Sequence, residues 1–282
     1  MCLPEDQTEM GGGHGPPCES KTILMHILLT NDDGIFAPGL AALYKQLTRL
    51  GKVTVAAPSD CRSGAGHSIT LDELTCEYVD IVGKFAGYSV NGSPADCVKL
   101  ALKELIGPKE KVDLVVSGMN HGANVGINVF YSGTVAGAIE AAFYDLPAIA
   151  VSAAMDEPLD FDRAAEYAFE VIRQIKGISP NDVVNLNIPR LSKGAPKGIM
   201  VVPQSTCGFH DSYNSRQDNG QAVYKLAGGH PRDGENSCWT DTTALEAGYI
   251  TLTALRKDLT DRIANELLSA MGIQIADKKE AR

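Results

Sequence analysis

The chain has 282 residues, 44% of them hydrophobic and 21% charged, with a formal net charge of -10 at pH 7. That length buries the core of one large α/β domain with an appendage, and no apolar run is long enough to cross a membrane. The acidic balance excludes a surface that coats nucleic acid polymers, because such binding is mostly phosphate neutralisation by Lys and Arg.

Residues 1–21, with Gly11-Gly12-Gly13-His14-Gly15-Pro16-Pro17 among them, have no apolar h-region and little to bury. They are expected to form a flexible tail, neither a signal peptide nor a folding element. Ile23-Leu24-Met25-His26-Ile27-Leu28-Leu29 reads as a buried strand, and Asn31-Asp32-Asp33-Gly34 follows it directly. Residues 38–50 predict a helix with Pro at its first turn and Gly51 just past its end. Residues 52–58 are the next strand, followed by a polar loop over 59–68 and a β-rich excursion over 69–90.

Ser93-Pro94-Ala95-Asp96 opens a helix with an N-cap, a Pro at N1 and an acid in the first turn; Gly107-Pro108 ends it. Strands are predicted over 112–117, within 145–152 and over 183–188. Helices are predicted over 134–144, rich in small residues, and over 161–176, amphipathic with Asp160 or Asp162 near its cap. These βα units predict a three-layer, doubly wound, mostly parallel sheet over residues 22–190. Residues 191–282 predict a β-rich extension: strands at 198–202 and 249–255, a polar, Gly-rich stretch over 207–241, and a helix over about 260–271. Such extensions commonly serve substrate access or subunit contact. Seven cysteines without CxxC spacing predict reduced thiols of a cytoplasmic protein, not a disulfide or zinc framework.

Three loops carry the chemistry. Two adjacent carboxylates at a strand end are costly unless positive charge sits beside them, so Asp32 and Asp33 make a divalent cation the simplest partner. The same four residues are also good turn chemistry. Ser117-Gly118-Met119-Asn120-His121-Gly122-Ala123-Asn124-Val125-Gly126, continuing to Tyr131-Ser132-Gly133-Thr134, joins a strand to a helix N-terminus. Its glycines let backbone N–H groups converge on an anion, and Asn120 and Asn124 can offer amide oxygens to a hard cation or N–H groups to phosphate. It is neither a Walker A loop nor a dinucleotide fingerprint, and Ser132 or Thr134 can equally act as a simple cap. In Arg62-Ser63-Gly64-Ala65-Gly66-His67-Ser68-Ile69-Thr70, Ser63 can present a hydroxyl oxygen to the same cation. His67 is a candidate acid/base group or a hydrogen-bonding loop histidine.

Together these loops resemble the SurE family of survival-protein phosphatases that act as 5′/3′-nucleotidases. The resemblance is carried by Asn31-Asp32-Asp33-Gly34 with Ala37-Pro38-Gly39, Ser63-Gly64 with Gly66-His67-Ser68-Ile69-Thr70, Pro94-Ala95-Asp96-Cys97-Val98, and Ser117-Gly118-Met119-Asn120. Gly122-Ala123-Asn124 and Tyr131-Ser132-Gly133-Thr134-Val135-Ala136 complete it. The order is preserved over about residues 23–190, with weaker echoes in Thr240-Asp241-Thr242 and Gly248-Tyr249-Ile250-Thr251-Leu252-Thr253. It departs at Ser59-Asp60-Cys61, where an acid commonly follows the Pro. The resemblance implies a Rossmann-like core and one divalent metal ion per subunit, Mg²⁺ or Mn²⁺, held by Asp32, Asp33, Ser63 and Asn120. It further implies a phosphate cradled by Asn124, Ser132, Gly133 and Thr134.

The implied reaction is hydrolysis of a nucleoside monophosphate, either by water activated at the metal with Asp32 or Asp33 as base, the favoured route, or through an aspartate that is first phosphorylated. A homodimer or homotetramer is implied as well. A polyphosphatase or other acid phosphatase, a phosphatase of the haloacid-dehalogenase class and a non-catalytic nucleotide or metal sensor are the competing readings. The dehalogenase class wants an Asp-x-Asp pair and a later lysine motif that are not found here.

Overall fold

The computed structural model describes residues 25–107, 110–175, 177–180, 182–207, 209–231 and 238–273; the tail expected over residues 1–21 lies outside them. β1 (Met25–Thr30) pairs in parallel with β2 (Gly51–Pro58) on one side and β5 (Leu114–His121) on the other. β3 (Cys76–Ile81) and β4 (Phe85–Val90) form an antiparallel pair, and β4 lies parallel to β2. β6 (Ala148–Ala153) and β7 (Asp182–Ile188) continue the parallel sheet beyond β5.

The sheet does not stop at residue 190. β11 (Ile250–Arg256) pairs antiparallel to β7, and β8 (Ile199–Val201) lies parallel beside β11. The nine-stranded order is β3-β4-β2-β1-β5-β6-β7-β11-β8. The C-terminal third therefore supplies two strands of the main sheet as well as a separate hairpin.

Side chains alternate across each strand, so β1 serves two cores at once. Ile27 and Leu29 pack with α1 (Pro38–Leu47) and α4 (Phe161–Ile172) on one face. Leu28 packs with α2 (Pro94–Leu100) and α3 (Gly133–Phe143) on the other. All three are fully buried, each contributing about 1.5–3 kcal/mol. Burial on both faces explains why these strands read as unbroken apolar runs.

The caps are as expected. Ser93 Oγ accepts from the Asp96 N–H at 3.1 Å while Asp96 Oδ2 accepts from the Ser93 N–H at 2.9 Å, and Asp160 caps α4 through Arg163 N–H at 3.0 Å. α1 ends three residues earlier than predicted, because the N–H groups of Arg49 and Leu50 turn back to Gln46 and Leu47. α4 likewise ends at Ile172, not residue 176.

Part of the polar 207–241 stretch is a long hairpin, β9 (Phe209–Asp218) and β10 (Gln221–Pro231). Its two-residue turn has φ of 48° at Asn219 and 80° at Gly220, the left-handed pair that matches strand twist. α5 (Asp241–Glu246) and α6 (Arg262–Ala270) follow, and no residue of α6 is buried.

Close approach of α1 to β5 depends on Gly39, where a Cβ would lie 2.3 Å from the Met119 carbonyl oxygen and 2.9 Å from the Phe161 ring. Gly39→Ala is therefore expected to lower stability by about 1–3 kcal/mol through overpacking, measured as a shift of the urea midpoint. An unchanged midpoint would show that α1 can move off β5 at no cost.

Candidate functional site

β2, β1 and β5 are neighbours, so the loops leaving their carboxyl ends converge at one edge of the sheet, where ligands of open α/β sheets collect. The first loop is a genuine Asx-type turn: Asn31 Oδ1 accepts from Gly34 N–H at 3.2 Å and Asn31 Nδ2 donates to Gly34 O at 2.9 Å. That turn places Asp32 inward, 3% exposed, and leaves Asp33 only partly buried. Turn chemistry and acidic site are thus one device.

Asp32 sits against the N-terminus of α3. Its Oδ1 accepts the Thr134 hydroxyl at 2.5 Å. A Cβ on Gly133 would fall 2.8 Å from Asp32 Cβ and 3.0 Å from Oδ2. Only glycine lets the helix end come this close. Burial pushes the Asp32 carboxyl up from its ordinary range; hydrogen bonding by the Thr134 hydroxyl opposes this, and the charge of Asp33 adds to it.

Asp33 Oδ2 accepts the His121 N–H at 3.2 Å, which joins the first loop to the end of β5. Asn120 lies on β5 itself, not in a loop as the sequence suggested, paired with Ser152 of β6 beyond a register shift after Gly118. Its Nδ2 donates to Gly122 O at 2.8 Å, which leaves Oδ1 as the free acceptor of the amide. Ser63 is exposed, with its Oγ 3.1 Å from Cys61 Sγ. The neighbouring Arg62 N–H binds the Asp32 carbonyl at 2.7 Å.

Among the described residues neither Asp32 nor Asp33 has a Lys, Arg or His side chain within ion-pair distance. Nor do those residues contain a group of three or more His, Cys, Asp or Glu suited to a metal. Any cation here must draw on the hydroxyl and amide oxygens of Ser63 and Asn120 beside two carboxylates. That all-oxygen donor set fits Mg²⁺ or Mn²⁺ and not a thiolate-seeking ion.

The residues expected at phosphate divide. Ser132 caps α3, its Oγ accepting from Val135 N–H at 3.0 Å, and its hydroxyl proton stays available. Thr134 points its hydroxyl at Asp32 and so orients a carboxylate. Asn124 is buried: Nδ2 donates to Ser152 Oγ at 2.8 Å, its N–H to Asn187 Oδ1 at 2.9 Å, and its carbonyl accepts from Asn185 Nδ2 at 2.7 Å. One amide hydrogen of Asn124 is left for a ligand.

His67 does not reach the carboxylate pair. Its Nε2 is 2.8 Å from Oε2 of Glu140, and its ring stacks on Phe143 at 5.4 Å. Glu140 is six residues after Thr134, about 9 Å along the helix.

Sequence reasoning missed Glu140, whose signal was a lone acid in a helix of small and apolar residues. It also missed the brace of Asn185 and Asn187, signalled by two polar residues on one face of an otherwise apolar strand. Asp241, quoted from the sequence only within a weak echo of the family pattern, had its role missed as well. It is fully buried and accepts N–H groups of Gly126 at 2.9 Å and Ser205 at 2.8 Å, which ties the loop after β5 to the C-terminal third. A cavity of about 720 Å³ opens beside Asn120, bordered by Val125, Met155, Arg190, Lys193 and Leu245.

The chain is similar to known proteins. The family model described as "Survival protein SurE" matches residues 27–211. A protein of Rhodopirellula baltica named 5′-nucleotidase SurE is 46% identical over 250 residues, 88% of this chain and 97% of its own length. One of the same name from Syntrophobacter fumaroxidans is 41% identical over 239 residues, 84% of this chain and 95% of its own. The crystal structure of the SurE protein from Aquifex aeolicus superposes with a TM-score of 0.75 at 34% identity, covering 88% of this chain and all of that one.

Because the folded state holds the Asp32 proton more tightly than the unfolded chain, stability falls as pH rises from the ordinary aspartate range through the raised value. In EDTA, Asp32→Asn is expected to be more stable than the native protein at pH 7 and to lose that advantage near pH 3, read from thermal melts across pH. Equal melting temperatures at both pH values would show that this carboxylate carries no burial penalty.

Proposed function

The chain belongs to the SurE family, and on that premise we propose that it is a divalent-metal-dependent phosphomonoesterase, a 5′-nucleotidase that converts nucleoside monophosphates to nucleoside and phosphate. The observation that carries the reading is the carboxylate pair after β1, with Asp32 against the N-terminus of α3 and neither acid given a basic partner among the described residues. When bound, a divalent ion supplies positive charge to the phosphoryl oxygens and acidity to a water.

Asp32, Asp33, Ser63 and Asn120 hold one such ion, Mg²⁺ or Mn²⁺. Thr134 fixes the orientation of Asp32 through its hydroxyl. The Gly133 N–H, the Ser132 hydroxyl and the remaining Asn124 amide hydrogen face the phosphate, where the positive end of the α3 dipole favours an anion. Asp33, the more exposed carboxylate, would take a proton from the attacking water. The cavity beside Asn120 gives the nucleoside room, and its apolar lining of Val125, Met155 and Leu245 suits a base.

The subunit works as a homodimer or homotetramer. Support comes from α6, which exposes Ile263, Leu267 and Leu268, with Met271 exposed just past its end, and from Tyr213, Tyr224 and Leu226 exposed on the hairpin. Apolar rows of this kind mark interaction surfaces. Among the described residues no helix is long and apolar enough to cross a membrane, and Cys61, Cys76, Cys97 and Cys238 are free thiols, which supports a cytoplasmic setting.

Phosphate release from a panel of nucleoside monophosphates with Mg²⁺, Mn²⁺ or EDTA tests the reaction. Turnover is expected with metal only, falling at least about 100-fold in Asp32→Asn, on the order of losing one preorganised charge-stabilising group. Gly133→Ala, whose methyl would press on Asp32, is expected to fall in the same direction. Turnover that survives EDTA, or nucleotide binding without any hydrolysis by folded protein, would sink the proposal.

For assembly, light scattering is expected to give two or four copies per particle, and Leu267→Glu with Leu268→Glu a smaller particle. A native monomer at every concentration would reject the oligomer.

A further inference from the structure

We propose that His67 and Glu140 are positioning residues that set the affinity for the cation by holding the Ser63 segment at the site; this rests on the metal reading of Asp32, Asp33, Ser63 and Asn120. No residue from 61 to 75 is buried, and Leu74, eleven residues from Ser63, is the apolar side chain of the segment that packs against a core cluster. The stretch that carries Ser63 therefore keeps its place mainly through polar contacts and opens easily when they are weakened.

Those contacts fall in four places, one of them beyond β4, where Arg62 Nη2 donates to Asn91 Oδ1 at 2.8 Å. Near the first loop, the Arg62 N–H meets the Asp32 carbonyl at 2.7 Å and the Gly66 N–H meets Tyr131 O at 3.0 Å. Towards α2, Ser93 Oγ donates to Ser68 O at 2.7 Å and Thr70 Oγ1 to Asp96 Oδ2 at 2.8 Å. Between them the only side-chain anchor reaching α3 is His67, with Nε2 at 2.8 Å from Glu140 Oε2.

Glu140 is 3% exposed on a helix whose other residues are small or apolar. A buried carboxylate persists only when paired and hydrogen-bonded, and its partners are His67 and Lys99, the latter at 3.4 Å. An acceptor-only carboxylate requires the proton on His67 Nε2. The ring is fixed further by stacking on Phe143, with 10° between planes.

The same geometry argues against proton transfer by His67. Its hydrogen-bonding nitrogen is committed about two turns along α3 from the residue that touches Asp32. A group that orients the segment bearing a metal ligand shows itself in metal affinity, commonly by about 10–100-fold.

The experiment is Mn²⁺ binding to the full chain without substrate, followed by the electron paramagnetic resonance of free Mn²⁺, for native protein, His67→Ala and His67→Gln, with thermal melts to confirm folding. His67→Ala is expected to weaken Mn²⁺ binding by about 10-fold, the lower end of that range. Its kcat at saturating Mn²⁺ is expected to stay near native, and both limbs of the pH–rate profile to remain. His67→Gln is expected to recover most of the affinity, since its amide Nε2 can still donate to Glu140.

Native affinity in His67→Ala combined with a fall in kcat and the loss of one limb would make His67 an acid/base group and overturn the proposal. Native affinity and native kcat together would show that the other anchors suffice, and would overturn it too. Failure of the native protein to bind Mn²⁺ would instead remove the metal reading, and this inference with it.

Discussion

The structure depends on one contact, a buried carboxylate pressed against the start of a helix. Asp32 lies in the turn just after the first strand with almost no exposure to solvent, which is unfavourable for a charge. Two features offset the cost: the Thr134 hydroxyl and the positive end of α3. Both require the helix to lie flush on the sheet. Gly133 permits this at Asp32, and Gly137 does so one turn later, where a Cβ would sit 2.9 Å from Ser117 Oγ and 3.2 Å from Thr30 Cγ2. The small-residue character of α3 and the acidic character of the loop are therefore two sides of one packing requirement.

From that contact the rest of the edge follows. β2, β1 and β5 are adjacent, so the Ser63 segment and Asn120 arrive beside Asp32 without any long-range device of their own. The loop after β5 is different, because it leaves the sheet and must be held. Asn185 and Asn187 hold it from below at Asn124, and Asp241 holds it at Gly126 from the C-terminal third. Three residues far from that loop in sequence thus rigidify a segment that would otherwise be open. Buried hydrogen-bonded polar groups suit this task, although Asn185 Oδ1 itself has no partner among the described residues.

The Ser63 segment has the opposite character. It is exposed, polar and anchored at a few points, beside a rigid floor built from β1, β5 and α3. Sites that must admit a ligand and release a product place such segments on fixed scaffolds. The anchor chosen on α3 is a carboxylate with two basic neighbours, Lys99 and His67.

The amino-acid sequence by itself determined the strand–helix alternation, the parallel sheet, the capped starts of α2 and α4, and the acidic loop after β1. These are written in local patterns: unbroken apolar runs, Ser-Pro-x-Asp at a helix start, Asn-Asp-Asp-Gly at a strand end. Even the hairpin turn was written locally, in Asn219-Gly220, although both of its strands are too polar to announce themselves. Tertiary structure alone decided which polar residues face which. That Thr134 serves Asp32, that His67 is held by Glu140 and that Asn120 rides on a strand depend on distances across elements far apart in the chain. So does the passage of the sheet beyond residue 190 into β11 and β8. No local pattern encodes such pairings, because a hydrogen bond between distant segments leaves each partner looking like any other polar residue until the fold brings them together.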